Sequence, residues 1–547
     1  MEVLGRYRSH DFTLSDALKS RTQDLKKQTF IWFEAKETTW SNFSLQVNEL
    51  SAWLLSHHIA PQDRVGIMAR NHQAHVLLLF ALAQIKAVMV PINPEFGVEE
   101  TRYVLDHAQP RLVLVDEHSS ESFIKARDCM HSSERPLAWS IETQSASAFS
   151  QQLPPFYPAF QSYLASLSPK VLEEQHERVQ RLQVQTLGED TCLIIYTSGT
   201  TGFPKGVMHS QRSFLLGGEA FVERMYLQHD DRLMIVLPFF HMNALFYSVA
   251  GGLAAGASIA IMPRFSASSF WHQAVQSNSS IVNLIDAACQ ILKKRPRQEY
   301  LPEHRLRAAY GVRHTAWPTF QEEFHIPHLV SGYGMTEIPG VTCSPFTGLQ
   351  KPGTMGPVGK HPDPNREWAS CRVVNEKGVD LGSHEVGELW VKTPIIMQGY
   401  FRDPEQTQKQ FDNGWFKTGD VGRWGGPANG GNAPDDYLCI VGRSKDLIIS
   451  GGYNVYPKEI ESFIDDMDGV DESAVIGIPH PDFGEAVMAV VVAKAGAKLD
   501  AQAMINTLKT QIANFKVPKR LEIVSDLPRN AMGKVQKNVL REQYTQK

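Results

Sequence analysis

The chain has 547 residues, 54 lysines and arginines against 59 aspartates and glutamates, a net charge of −5 and 42% hydrophobic residues. That length exceeds the roughly 250–300 residues at which a single core stops growing, so more than one domain is expected. The near balance of charge excludes a broad electrostatic footprint for nucleic acid or an anionic membrane and leaves small molecules or proteins as partners.

Taken in order, residues 29–40 read as two short strands, after which Ser41 is placed to cap a helix with apolar Phe43, Val47, Leu50 and Leu54. A rhythm follows: strand 64–68, helix 75–86, strand 88–92, helix 98–107, strand 111–115. Alternating strands and helices imply a parallel sheet wound by right-handed crossovers. Residues 118–189 break the pattern with Ser, Gln, Pro and charge and read as a surface excursion carrying one helix at 170–182. The rhythm resumes at 193–196 and continues through a helix at 212–225, then strands at 233–237, 258–262, 281–285, 306–310 and 328–331 separated by helices. Two such blocks imply two related wound sheets in one large lobe. Apolar runs at 76–90 and 246–262 are each interrupted, the first by Gln84 and Lys86, and read as a buried helix entering a buried strand rather than a membrane span.

Short strands and tight turns between 371 and 424 suit a small β subdomain, and 425–434, rich in Gly, Asn and Pro, reads as an insertion. Beyond it lies an α+β unit with a helix opened by Pro457, strands at 473–478 and 487–493, a helix carrying Met504, Leu508 and Ile512, and a last strand at 520–524. The fold class expected is therefore α/β, with domains at 1–442 and 443–547 and the second one small and mobile.

The six cysteines, Cys129, Cys192, Cys289, Cys343, Cys371 and Cys439, have no metal-ligand spacing and read as thiols of a reducing compartment. With no apolar signal core in the first residues and no peroxisomal tripeptide in the last, the expectation is a cytoplasmic protein. The sequence is compatible with a homo-oligomer but does not set the oligomeric state.

Five clusters carry chemistry. Thr197, Ser198, Gly199, Thr200, Thr201, Gly202 and Lys205 follow an apolar strand. Their glycines turn N–H groups inward, their hydroxyls donate, and the lysine adds charge, as a polyphosphate requires. This is not a Walker loop, because no Gly-Lys-Ser/Thr triplet follows the expected gap, and a solvated loop has the same composition. Ser331-Gly-Tyr-Gly-Met-Thr-Glu337 sits at the carboxyl end of an expected strand, where open α/β sheets bind ligands. Tyr333 is suited to lie on a base, Thr336 to meet phosphate and Glu337 to hold magnesium, although a core tyrosine and a turn glutamate fit equally. Asp420, in a glycine turn, suits two vicinal hydroxyls or simply the turn. Residues 442–454, from Arg443 and Lys445 into Gly451 and Gly452, have the marks of a hinge. Lys534, beside Gly533, reads alone as a surface charge.

In this order the five clusters resemble the acyl-adenylate-forming superfamily of acyl-CoA synthetases, peptide-synthetase adenylation domains and firefly-type luciferases, over about residues 29–540. The resemblance implies an ATP-dependent acid–thiol ligase that forms acyl-AMP with release of pyrophosphate and then acylates coenzyme A, using Mg2+. It implies that Thr197–Gly202 and Lys205 shield the β- and γ-phosphates, Tyr333 stacks on adenine, Thr336 contacts the α-phosphate and Glu337 ligates magnesium. Asp420 and Arg443 hold the ribose, Lys445 is the hinge, Lys534 bridges carboxylate and α-phosphate, and Gly451 and Gly452 leave room for pantetheine. His241, Asn243, Phe246, Tyr310 and Pro339 are the acyl-pocket candidates. Tyr310 puts bulk where many members are small, which argues against a long straight acyl chain. The ending is somewhat like crotonobetaine/carnitine-CoA ligases, and Ser450 stands where several aryl-acid ligases carry lysine. A carrier-protein-loading adenylation enzyme and a nucleotide-binding regulator without turnover are the competing readings.

Overall fold

Apolar segments buried on both faces pair as parallel strands, and here they build two seven-stranded sheets. The computed structural model describes residues 12–141, 150–156, 169–197, 204–348, 350–360, 368–425, 436–451, 453–529 and 535–545. One sheet runs Leu137–Ser140, Leu112–Val115, Arg64–Met68, Val88–Ile92, Thr191–Thr197, Lys205–Ser210, Gly399–Tyr400, parallel as far as Thr191–Thr197 and antiparallel beyond. The other runs His328–Val330, Ala308–Tyr310, Ile281–Asn283, Arg232–Ile235, Ser258–Ile261, Thr29–Phe33, Lys36–Thr39, with only its last pair antiparallel.

Three details depart from the sequence expectation. Strand 193–196, read as the start of the second block, joins the first sheet, with Leu193 opposite Met89, while the chain's opening hairpin joins the second, with Ile31 opposite Ile259. Strand–helix rhythm reports that a sheet is parallel but carries no label of which sheet a doubly buried strand enters. The 118–189 excursion also contributes structure: helix Ser120–Asp128 and edge strand Leu137–Ser140 extend the first sheet, and Trp139 meets Trp53 edge-on at 5.6 Å. Thirdly, the cap of helix Trp40–Ser56 is Thr39, whose hydroxyl accepts from the Asn42 amide, because Trp40 is already helical and packs face to face on Phe30 at 3.9 Å.

Helix Gln73–Gln84 is buried along almost its whole length, and its polar end is paid for locally. The Ser51 hydroxyl donates to Gln84 Oε1 at 2.8 Å, and Gln84 Nε2 donates to Asn48 Oδ1 at 3.1 Å, so the amide that interrupts the apolar run is satisfied between helices. The run 246–262 becomes the π-helical turn Asn243–Val249, helix Ala250–Ala255 and strand Ser258–Ile261. No helix among the described residues is long and apolar enough to cross a membrane.

The chain divides into two compact units. The larger comprises Met1–Gly348, Gly359–Ala369 and Thr393–Lys409 and contains both large sheets. The other comprises Leu349–Val358, Ser370–Lys392 and Gln410–Lys547. Within it a five-stranded antiparallel sheet is built around Trp415–Trp424, and a second sheet around the hairpin Val470–His480 and Gly484–Ala493. Helix Pro457–Asp465, with Pro457 in its first turn, buries Ile460 and Ile464 against that hairpin.

Candidate active site

In the larger unit, the motif around Tyr333 forms the hairpin Gly332–Met335 and Ile338–Cys343, closed by Thr336 and Glu337. Gly334 lets the two arms meet, since a Cβ there would fall 2.4 Å from the Gly340 amide nitrogen. Tyr333 is buried opposite Thr342. The turn itself is pinned from two sides. His209 Nε2 donates to the Thr336 carbonyl at 2.7 Å, and the Met397 amide donates to the Glu337 carbonyl at 2.8 Å.

The Glu337 carboxylate is only 7% exposed and accepts from the Tyr400 hydroxyl at 2.9 Å. Burial, and then that carboxylate, push the Tyr400 hydroxyl far up, so it remains a donor. Strand Gly399–Tyr400 pairs with Lys205–Ser210, placing Tyr400 opposite Val207, and the Lys205 ammonium stands 5.0 Å over the Tyr400 ring and 3.5 Å from Gln406 Oε1. One tyrosine therefore carries a cation on its face and a carboxylate on its hydroxyl, directly after the glycine-rich loop. Neither Tyr400 nor His209 was singled out in the sequence. Alternation along Lys205–Ser210 was the available signal for His209, which faces the same way as Lys205 and Val207.

His209 also links the turn to the acyl-pocket candidates. Its ring lies 4.7 Å from that of Phe246 and its Nδ1 is 3.2 Å from the Ser213 hydroxyl. Burial lowers His209 to about 4, and it lowers His241 to about 4 as well, so both are neutral imidazoles near neutral pH. Phe246 is fully buried, Pro339 is buried in the hairpin, and Tyr310 is wedged between Phe221 and Tyr247 with ring centres 5.6 and 5.2 Å away. Asn243 has a buried Oδ1 without a hydrogen-bond partner among the described residues.

In the second unit the antiparallel register sets Asp420 opposite Arg443, and Arg443 Nε donates to Asp420 Oδ1 at 3.1 Å. Asp420 is further held by its own amide, which donates to the Thr418 hydroxyl at 3.0 Å. Lys445 lies in the single turn Ser444–Asp446, and Asp446 pairs with Arg541 of the last helix at 3.2 Å. Gly451 adopts φ +59 and its amide donates to the Phe483 carbonyl at 2.8 Å. Ser198, Gly199, Thr200, Thr201, Gly202, Gly452 and Lys534 lie outside the described residues, as does most of the 425–434 insertion.

Among the described residues no three His, Cys, Asp or Glu side chains gather as a metal cluster. A magnesium ion carried on nucleotide phosphates takes most of its ligands from phosphate and water and needs only one or two protein carboxylates, a requirement that the buried, oriented Glu337 fits.

Residues 18–401 match the model of the AMP-binding enzyme family, and residues 459–534 match the AMP-binding enzyme C-terminal domain. The chain belongs to this family. It is 29% identical over 514 residues to the long-chain-fatty-acid–CoA ligase FadD13 of Mycobacterium tuberculosis, covering 93% of each chain. It is 30% identical over 509 residues to a feruloyl-CoA synthase of Amycolatopsis, covering 92% of this chain and 94% of that one. The structure resembles ATP-bound MatB from Rhodopseudomonas palustris with a TM-score of 0.80 at 28% identity, over 98% of this chain and 99% of the other. The protein is an AMP-forming acid–thiol ligase that works through an acyl-adenylate with ATP, Mg2+ and coenzyme A.

Proposed function

We propose that the reaction runs on the turn Thr336–Glu337, with the Lys205, Tyr400 and Glu337 arrangement as the observation that carries the assignment. A carboxylate oxygen of the acid attacks the α-phosphorus of ATP, the bond from that phosphorus to the bridging oxygen breaks, and pyrophosphate leaves. Because anion approaches anion, the chain's task is positioning and fixed positive charge rather than nucleophilic catalysis. Tyr333 takes the adenine, the Asp420 carboxylate takes the ribose hydroxyls with Arg443 orienting it, and Thr336 meets the α-phosphate. Loop 197–202 and Lys205 cover the β- and γ-phosphates, and Lys534 bridges the carboxylate and the α-phosphate. Magnesium, held by Glu337, supplies further positive charge to the phosphates.

In the second half-reaction the coenzyme A sulfur attacks the acyl carbonyl, AMP leaves and the thiol proton goes to solvent. Lys534 is not needed there. We assign residues 443–547 as a body that turns about Lys445 and brings Gly451 and Gly452 to the pantetheine arm. The acid is a small-molecule carboxylic acid received by His241, Asn243, Phe246, Tyr310 and Pro339. Six cysteines, none of them in a disulfide among the described residues and three of them among the apolar residues of the larger unit's core, support a reducing compartment such as the cytoplasm.

Lys534→Ala tests the assignment. Adenylation, followed as acid-dependent pyrophosphate release, should be lost, while thioester formation from supplied acyl-AMP is largely kept. Equal loss of both half-reactions would remove Lys534 from its role.

A further inference from the structure

The last turn of helix Gln211–Met225 carries an arginine that the chemistry above does not use. Arg224 lies on the face defined by Gly217 and Phe221, seven and three residues before it. That face is turned toward the acyl-pocket candidates: Gly217 packs against Phe246, and Phe221 lies flat on Tyr247 with ring centres 4.8 Å apart. Arg224 is accordingly buried, at 3% exposure.

Its guanidinium sits against the site hairpin one residue beyond Pro339. Nη2 donates to the Gly340 carbonyl at 2.5 Å, and a Cβ at position 340 would fall 1.9 Å from Nη1. Gly359 closes the other side, where a Cβ would lie 2.9 Å from Nη2. The Tyr247 and Tyr310 hydroxyls, joined by a hydrogen bond, and the Cys343 thiol are within its electrostatic reach. Among the described residues, Nε and Nη1 have no hydrogen-bond partner and no carboxylate forms an ion pair with the group.

A buried guanidinium with one of its five N–H donors used is costly, because desolvation of the charge is repaid only by a counter-charge or a full set of acceptors. A purely structural anchor for the Gly340 carbonyl needs no charge. The geometry points to a substrate that brings the missing anion: an acid bearing a second carboxylate at the end remote from the adenylated one, with Arg224 as its counter-ion beyond Tyr247 and Tyr310. This rests on the acid–thiol ligase reading and names the substrate class for it. It also gives a use to the bulk at Tyr310, which shortens the pocket and sets a hydroxyl beside the charge.

The test is acid-dependent pyrophosphate release by the full chain with Mg2+ and coenzyme A. A graded series of α,ω-dicarboxylic acids is compared with their monomethyl esters and with monocarboxylic acids of equal length. The expected result is a diacid preference over the matched half-ester of roughly ten- to a hundredfold in kcat/KM, the range for a charged hydrogen-bonded contact. Arg224→Met should erase that ratio and Arg224→Lys should keep part of it, with the change appearing mainly in KM. Equal use of diacid and half-ester by the unaltered protein overturns the role of Arg224 while leaving the ligase reading standing, and this comparison holds even where a variant does not fold. A diacid preference that survives in Arg224→Met also overturns it, and so does a variant that loses activity on both acids in equal proportion. Failure of every acid tested, aromatic and aliphatic monoacids included, to release pyrophosphate brings down the ligase reading itself.

Discussion

Tyr400 is the residue on which the candidate site turns, because its two contacts can be separated chemically. The hydroxyl donates to Glu337, while the ring face carries the Lys205 ammonium. Tyr400→Phe keeps the cation over an aromatic face and deletes only the donor. A hydrogen bond to a charged acceptor contributes about 1.5–3 kcal/mol, so adenylation should fall roughly ten- to a hundredfold. The Mg2+ concentration giving half-maximal rate should rise, since Glu337 loses a group that fixes its orientation. Tyr400→Leu, which removes the ring as well, should lower the rate further at saturating Mg2+. Titrating Mg2+ in a pyrophosphate-release assay measures both, and an unshifted Mg2+ requirement in Tyr400→Phe would detach Glu337 from the metal. The motif residues Tyr333, Thr336, Glu337, Asp420 and Arg443 could be proposed from the sequence because their order along the chain is itself a signal. Tyr400 was not, because its relevance arises from a two-residue strand pairing across nearly two hundred positions with Val207.

At the scale of elements, the hairpin Gly332–Met335 and Ile338–Cys343 joins the motif proposed to take the nucleotide to the buried arginine. Its approach to helix Gln211–Met225 depends on position 340, where φ is +72 and a side chain would run into Arg224. Gly340→Ala therefore carries both a left-handed backbone, costing about 1–2 kcal/mol, and a steric collision. The unfolding midpoint of the larger unit should fall by roughly 1–3 °C from the backbone term alone, the scale of a 1–2 kcal/mol loss in a unit this large, and further with the collision. Combining Gly340→Ala with Arg224→Met, which replaces the fork by a flexible thioether, should recover part of that loss. Strict additivity in differential scanning calorimetry would show that the collision is relieved elsewhere. Helical periodicity already set Arg224 on the face of Gly217 and Phe221, so its burial was readable from spacing. What spacing does not report is whether a buried charge is paired, since the partner comes from wherever the tertiary fold brings it. The same limit explains the misassigned strand Thr191–Thr197: its apolar residues announce a central strand, but only three-dimensional neighbours decide its sheet.

Across the larger unit, four histidines are folded into places that exclude a proton, and together they make a prediction for the whole molecule. Burial lowers His72, His209 and His241 to about 4 and His75 to about 3. His72 caps helix Gln73–Gln84 by accepting the Ala74 amide at Nδ1, 3.0 Å away, a bond that needs the unprotonated nitrogen. His75 stacks on Phe239 at 4.9 Å with its Nδ1 3.1 Å from the His72 carbonyl, and His209 spends Nε2 on Thr336. Asp116 acts in the opposite sense on His72 but does not outweigh burial. Between about pH 6.5 and 4 the unfolded chain binds protons at these sites and the folded chain does not, so stability rises with pH through that window and is lost as pH falls through it. Each such site contributes about 1.4 kcal/mol per pH unit once the pH is well below 6.5. The acid limb of the stability curve should therefore be steep from pH 6 downward, ahead of most carboxylate titration. His72→Asn keeps a good capping side chain and deletes the titration, so its unfolding midpoint should equal or trail that of the unaltered protein at pH 7.5 and gain on it as pH falls to 5. Parallel curves for the two proteins across that range would mean that His72 is protonated in the folded state, and that the cap is made by something other than its neutral ring.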